Sequence, residues 1–224
     1  MSIRTGAEMR ELARNRLIES RLTPNSISLT GFALNIAAAV LVTQRLFFLA
    51  GVAFIVGSLM DTLDGGLARA RNEVTRWGAF LDSTTDRIAD AALFLGIAAF
   101  YARVPLVMMA SEDVTIYLQL GPPDMRERIL THAMECWLNA GAATVALAGA
   151  FLVSYTRARM EGLGVECKVG WFERPERLVV LLGAALFGAG SIVMPWALVL
   201  LAVLSFFTAF QRMAYARSRL QGAA

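Results

Sequence analysis

Cysteine, histidine and charged side chains are scarce in this chain of 224 residues. Its two cysteines, Cys136 and Cys167, do not make a disulfide framework, and its single histidine, His132, excludes a histidine-rich zinc site. Charged residues make up 17% of the sequence, whereas an ordinary soluble domain has roughly 25%. The hydrophobic content of 57% excludes a disordered chain and a soluble helical repeat, and it predicts long apolar runs in a bilayer.

Six apolar segments follow a polar N-terminal region, and each is long enough to span a membrane as a helix. Their approximate bounds are 26–43, 46–66, 78–101, 136–157, 177–193 and 195–213. We therefore expect an all-α integral membrane protein, with a six-helix transmembrane domain over 23–217 and a tail over 218–224. Residues 1–22 are arginine-rich with apolar residues at helical spacing, which predicts an N-terminal amphipathic interfacial helix. A solvated helix without lipid contact is the alternative there.

Basic residues are distributed unevenly between the two ends of the predicted bundle. Most of the 21 lie near the termini and in the 67–77 and 157–177 loops, which an even number of spans puts on one side. The positive-inside rule predicts that this side, with both termini, is cytoplasmic. The opposite side has fewer basic residues and the 102–135 stretch, which we expect to be a loop with a short helix after Pro123. Because the charge marks a membrane face, no nucleic-acid partner is expected.

Four aspartates lie at the ends of apolar segments, where a carboxylate is costly and therefore indicates function. Asp61 and Asp64 end the second segment at spacing i, i+3, and Asp82 and Asp86 begin the third at spacing i, i+4. Each pair lies on one helix face, and the connecting loop of about a dozen residues predicts that the pairs are neighbours. Converging carboxylates stay ionised only beside cations. Oxygen ligands without thiolate or imidazole select Mg²⁺ or Mn²⁺, and four carboxylates suffice for two ions.

Glycine and arginine residues next to these aspartates suit a phosphate ligand. Gly65 and Gly66 permit a close approach of backbone, and Arg69 can contact a phosphate. The structural alternative pairs the aspartates with Arg69, Arg76 and Arg87, although burying so many ions for structure alone is energetically poor. A divalent-cation transporter is the alternative from another functional class, but it would distribute ionisable residues through the depth of the bilayer.

Together these residues resemble the signature of the CDP-alcohol phosphotransferase family, and they read Asp61-x-x-Asp64-Gly65-x-x-Ala68-Arg69-x8-Gly78-x-x-x-Asp82-x-x-x-Asp86. The resemblance implies a six-helix membrane transferase of phospholipid biosynthesis, usually homodimeric, whose cytoplasmic site displaces CMP from a CDP-linked lipid. It implies that all four aspartates bind metal and that Asp86 is also the general base. The positions for which it implies contacts with the CDP-lipid are Asn25, Gly65, Ala68, Arg69, Thr75 and Gly78.

The second cytoplasmic loop resembles that of the phosphatidylinositol-phosphate synthase branch of this family, which is mostly actinobacterial. The resemblance implies a protein of the prokaryotic plasma or inner membrane, with CDP-diacylglycerol as donor and inositol phosphate as the phosphorylated polyol acceptor. The positions matching that branch's basic acceptor pocket are Ser154, Arg157, Pro175, Arg177 and Arg217. Arg157 departs from the lysine common in the branch, which keeps the charge but changes its geometry. Glycerol 3-phosphate is the alternative acceptor.

Overall fold

The computed structural model describes residues 23–71, 74–167, 169–186 and 192–221, and within these ranges the chain is helical without strands. The helices are α1 (Pro24–Thr43), α2 (Phe47–Ala70), α3 (Arg76–Met109), α4 (Glu112–Leu120), α5 (Pro123–Gly162), α6 (Arg174–Leu186) and α7 (Val193–Gln221). Within the described ranges, α1, α2, α3, α5 and α7 each contain a segment long and apolar enough to cross a membrane. The prediction of an all-helical fold is confirmed for the described residues, and the five apolar helices fit an integral membrane protein.

The predicted sixth span and the N-terminal helix involve residues outside the described ranges. α6 is described over Arg174–Leu186, whereas the corresponding apolar segment continues to residue 193. The interfacial helix predicted over 1–22 lies outside the described residues. At the other end α7 continues to Gln221, so the first part of the predicted 218–224 tail is helical.

The prediction of a loop over 102–135 is wrong. α3 continues to Met109, α4 follows, and α5 begins at Pro123. Pro105 lies inside α3 and is fully buried. It does not end the helix, because neighbouring helices can accommodate a proline in a membrane helix. The expected helix after Pro123 is present, since proline is favoured in the first turn, but it extends to Gly162.

The main helix contacts form a closed ring in the order α1, α2, α6, α7, α5 and α3, with α4 outside against α3 and α5. Small residues permit the close approaches. A Cβ at Gly31 of α1 would lie 2.9 Å from the carbonyl oxygen of Gly57 on α2, and a Cβ at Gly149 of α5 would lie 2.9 Å from the Cβ of Ser205 on α7. Close packing of this kind stabilises helices in lipid, where burial from water contributes little between them.

The C-terminal end of α2 and the N-terminal end of α3 lie at the same end of the bundle. The chain passes from Ala70 to Arg76 between them, which is shorter than the dozen residues expected. The hydroxyl of Thr75 accepts a hydrogen bond from the backbone nitrogen of Gly78 at 2.9 Å and so caps α3. α1 packs against both helices and holds their aspartate-bearing ends together.

Candidate active site

The four predicted aspartates form a continuous acidic cluster at this end of the bundle. Asp61 interacts electrostatically with Asp64 and Asp82, and Asp86 interacts with Asp82 and Asp61. Asp64 is 4% exposed, Asp61 and Asp86 are half-buried, and Asp82 is exposed. The structure therefore brings together the two pairs that the spacing places on separate helices.

Two polar residues of α1 orient the carboxylates of α2. The hydroxyl of Ser28 donates a hydrogen bond to Oδ2 of Asp64, and Nδ2 of the fully buried Asn35 donates to Oδ2 of Asp61 at 3.4 Å. Ser28 and Asn35 are seven residues apart, which puts them on one face of the helix. Sequence analysis missed both, although a polar residue in the middle of an apolar segment is a usable signal.

Arg174, the first residue of α6, bridges the acidic cluster. Its Nη1 lies 2.7 Å from Oδ1 of Asp86, its Nη2 lies 3.7 Å from Oδ2 of Asp61, and its Nε lies 3.3 Å from Oδ1 of Asp90. Asp90 is a fifth carboxylate, one turn beyond Asp86 and buried, and Arg177 Nη2 lies 3.7 Å from it. Neither Arg174 nor Asp90 was identified from the sequence.

The cation that pairs with the aspartates is Arg174, and not one of the three arginines that the salt-bridge alternative named. In the described part of the chain, no ion pair within 4 Å joins the four aspartates to Arg69, Arg76 or Arg87. Arg69 does lie near enough to Asp64 to attract it electrostatically. The Nη1 of Arg87 instead donates to the backbone carbonyl of Ser83.

A first cavity of about 260 Å³ opens beside Asp64 and Asp82, between α2 and α3. We call it the α2–α3 cavity, and its lining includes five of the six predicted CDP-lipid contacts, namely Gly65, Ala68, Arg69, Thr75 and Gly78. A Cβ at Gly65 would lie 3.6 Å from Nη1 of Arg69, so the guanidinium covers this turn. Asn25 lies in the first turn of α1, and its side chain lies outside the described part of the structure.

A second cavity of about 270 Å³, the basic cavity, opens beside Asp86 and Asp90. Its lining includes four of the five predicted acceptor residues, namely Ser154, Arg157, Pro175 and Arg177. Arg217, the fifth, does not line it; its side chain is exposed and its Nε donates to Oε1 of Gln221 at 3.2 Å. Arg212 lines the cavity instead.

Buried arginines give the basic cavity an excess of hydrogen-bond donors. Arg212 is 2% exposed and satisfied, because its three nitrogens donate to the carbonyls of Val153 and Val169 and to Glu173 at 2.6–2.8 Å. In contrast, Nε and Nη1 of Arg177 and Nη2 of Arg174 are buried without a hydrogen-bond partner among the described residues. Unsatisfied buried donors require an explanation, and an anion in the cavity supplies one.

The donor set at the acidic cluster fits a hard divalent cation. It consists of carboxylate oxygens, carries several like charges in a partly buried site, and holds a guanidinium between Asp61 and Asp86. Within the described ranges, no three histidine, cysteine or acidic side chains are already arranged around one point as metal ligands. The carboxylate oxygens suit a cation by their chemical type and charge, although they do not surround a single point. Arg174 neutralises part of that charge.

A model of the family described as CDP-alcohol phosphatidyltransferase matches residues 21–204. The chain belongs to this family. The resemblance predicted from the spacing of the aspartates is therefore confirmed. As a CDP-alcohol phosphatidyltransferase, the chain is a transferase of phospholipid biosynthesis.

Named relatives of this phosphatidyltransferase include two lipid synthases. The archaetidylinositol phosphate synthase of Methanothermobacter thermautotrophicus is 33% identical over 204 residues, which are 89% of this chain and 86% of that protein. The phosphatidylinositol phosphate synthase of Mycobacteroides abscessus is 32% identical over 223 residues, which are 95% of this chain and 86% of that protein.

Solved structures of a third relative share the fold. The phosphatidylinositol phosphate synthase of Mycobacterium tuberculosis with CDP-DAG bound has a TM-score of 0.67 and 28% identity, over 91% of each chain. Its complex with manganese and citrate also has a TM-score of 0.67, at 27% identity, over 91% of this chain and 87% of that one.

Proposed function

We propose that the chain transfers the phosphatidyl group of CDP-diacylglycerol to inositol phosphate, with release of CMP. The observation that carries the proposal is the acidic cluster between two cavities, one beside Asp64 and Asp82 and the other beside Asp86. Donor and acceptor can approach the aspartates from different sides. The names of the relatives that make phosphatidylinositol phosphate and archaetidylinositol phosphate support inositol phosphate as the acceptor.

The α2–α3 cavity is the proposed donor site. The guanidinium of Arg69 beside Gly65 is placed to neutralise a pyrophosphate, and the Thr75 hydroxyl and Gly78 backbone border the same space. Ala68 and Asn25 complete the proposed set of contacts with the CDP-lipid. The relative from Mycobacterium tuberculosis that binds CDP-DAG supports this assignment.

The basic cavity is the proposed acceptor site, formed by Ser154, Arg157, Pro175 and Arg177. The free donors of Arg177 suit the phosphate of inositol phosphate, because a charge-assisted hydrogen bond to phosphate is stronger than a neutral one. Arg157 is half exposed and already pairs with Glu161 at 2.9 Å, so it can exchange one anion for another at the mouth of the cavity.

Asp61, Asp64, Asp82 and Asp86 are the proposed ligands of two divalent cations, Mg²⁺ or Mn²⁺. The manganese complex of the Mycobacterium tuberculosis relative supports a divalent ion. When bound, such ions supply neutralisation of the pyrophosphate and of the charge that develops on departing CMP. Cations and Arg174 would compensate the same carboxylates, since the guanidinium contacts Asp61 and Asp86.

Asp86 is the proposed general base. Its carboxylate lines the basic cavity, and Arg174 holds Oδ1 at 2.7 Å. Asp86 takes the proton of the attacking hydroxyl of inositol phosphate, and that oxygen forms a bond to the β-phosphorus, which bears the diacylglycerol. The bond from this phosphorus to the bridging oxygen breaks, and CMP leaves with the electron pair. A positioned base contributes about 10²–10⁴-fold to the rate.

The membrane arrangement proposed for this activity has six spans, with α6 continuing as the fifth. The cluster of basic residues around the acidic end of the bundle supports a cytoplasmic active site and cytoplasmic termini. The family resemblance supports a homodimer. With a cytoplasmic active site, the charged nucleotide and the inositol phosphate reach the aspartates from the aqueous side.

The purified chain offered CDP-diacylglycerol with either acceptor tests the proposal, with CMP release as the readout. We expect turnover with inositol phosphate and little with glycerol 3-phosphate. Replacing Arg157 by Gln should raise KM for inositol phosphate about tenfold, since it removes a charged hydrogen-bond donor, while Arg217→Gln, outside the cavity, should not. Turnover with glycerol 3-phosphate alone would reject the proposed acceptor.

A further inference from the structure

The end of the bundle remote from the aspartates has a cleft of about 250 Å³ between the α1–α2 turn and α3. Arg103 follows Asp86 by 17 residues on α3, which corresponds to about 25 Å along the helix axis. The cleft is therefore separate from both cavities of the active site. Its lining comprises two arginines, two polar residues and apolar side chains, among them Thr43, Gln44, Arg45, Phe100, Arg103 and Val104.

Arg45 is held in place by both its backbone and its side chain. Its φ of 65° is the one positive value for a non-glycine residue in the described ranges. This backbone conformation is sterically unfavourable for arginine. Its guanidinium carbon lies 5.9 Å from the ring centroid of Phe100, within cation–π range. Phe100 is in turn fixed by edge contacts with Phe47 and Tyr101 at 5.0 and 5.2 Å. The ring of Phe100 therefore holds the positive charge of Arg45 at the wall of the cleft.

Neither Arg45 nor Arg103 forms an ion pair with a carboxylate within the described part of the chain. Both side chains are exposed, and both line one cleft, so their charges repel unless an anion lies between them. Two guanidinium groups match the oxygen geometry of a phosphate. Arginines at this end also run against the positive-inside pattern of the rest of the chain.

The surroundings of the cleft are apolar in the way a lipid requires. Phe48 is 67% exposed and Leu106 is 60% exposed, and Leu46 and Val107 are exposed beside them. Val107 lines the cleft itself, Leu106 precedes it on α3, and Leu46 and Phe48 follow Arg45 closely along the chain. A soluble phosphate would use the arginines alone, whereas a phospholipid would cover the apolar flanks with its acyl chains.

We propose that the cleft lined by Arg45 and Arg103 binds the phosphate of an anionic phospholipid in the leaflet remote from the active site. The arginines contact the headgroup phosphate, Thr43 and Gln44 border the polar part, and the acyl chains lie against Phe48 and Leu106. The proposal does not depend on the reaction assigned to the aspartates.

Native mass spectrometry of the purified full chain in detergent tests this site by counting bound dioleoylphosphatidylglycerol. Dioleoylphosphatidylcholine, whose choline balances the phosphate so that the lipid has no net charge, is the comparison. Each of Arg45→Gln and Arg103→Gln should weaken binding about fivefold, the factor that one basic residue contributes near an anionic surface, and the double variant more. Arg128→Gln is the matched control, because it removes the same charge from α5 outside the cleft. Lipid bound at the active site is unaffected by these changes and forms a constant background.

Two further arms make every outcome decisive. Arg45→Gly should weaken lipid binding about as much as Arg45→Gln while keeping or raising the melting temperature, because glycine accepts the positive φ, so the weaker binding cannot be ascribed to misfolding. Millimolar inorganic phosphate should not displace the lipid. Equal losses in Arg128→Gln and the cleft variants, equal binding of phosphatidylcholine, or arginine-dependent binding of inorganic phosphate that displaces the lipid would each overturn the proposal.

Discussion

Replacing Arg174 by Gln removes the one cation among the described residues that touches Asp61, Asp86 and Asp90 together. The side chains involved are 22% exposed or less, so solvent screens the lost attraction only partly. Removing one partner of a buried ion pair costs about 3–5 kcal/mol. In a chain of this length that cost corresponds to roughly 6–20 °C in melting temperature, at about 2–4 °C per kcal/mol. We expect a loss in this range for the variant in EDTA.

A divalent cation should compensate for much of that loss, because it neutralises the same carboxylates. The assay is thermal unfolding of the wild type and variant in detergent, in EDTA and in saturating Mg²⁺. We expect the deficit of Arg174→Gln in Mg²⁺ to be less than half of its value in EDTA. Arg76→Gln, an exposed arginine of α3, should change stability by no more than about 0.5 kcal/mol in either condition. An identical deficit with and without Mg²⁺ would refute competition between the guanidinium and a cation.

Three other changes address the base, the helix packing and the buried arginine. Asp86→Asn should lower CMP release about 10²–10⁴-fold at a temperature where the variant is folded, and full activity would reject the base assignment. Gly57→Ala should destabilise the α1–α2 contact, since its Cβ would overlap Oδ1 of Asn35, whereas Gly66→Ala, with open space around it, should be neutral or stabilising in the same unfolding assay. Arg212→Met should lower stability by about 3–5 kcal/mol because it removes the three hydrogen bonds of a buried guanidinium, each worth about 1.5 kcal/mol or more, and unchanged unfolding would contradict that structural role.

The acidic cluster was predictable because a carboxylate in an apolar segment is conspicuous. The i, i+3 and i, i+4 spacings put Asp61, Asp64, Asp82 and Asp86 on two helix faces, and a short connection brought those faces to one end. Asp90 follows the same rule one turn later and could have been identified by it. Arg174 could not, because its place among the aspartates depends on how α6 packs between α2 and α7.

The arginines of the acceptor side show where sequence reasoning stops. Arg212 and Arg217 lie on the same helix five residues apart, which rotates one from the other by about 140°. The predicted residue, Arg217, is exposed, and Arg212 lines the basic cavity. Charge counting assigns both to a cytoplasmic face and cannot choose between them. The loop prediction over 102–135 was wrong for a related reason, since the packing of neighbouring helices, which buries Pro105 inside α3, is not visible in the sequence.

The ring of helices closes late in the order of synthesis. Arg174 follows Asp90 by 84 positions, so the ribosome delivers α2 and α3 to the membrane long before their counter-ion exists. Until α6 arrives, the carboxylates lack Arg174, whereas Ser28 and Asn35 of α1 are already available as hydrogen-bond donors. We therefore expect this end of α2 and α3 to stay in the hydrated interface until α6 is made, and a chain truncated before α6 to depend more strongly on dissolved cations for the charge balance of its carboxylates.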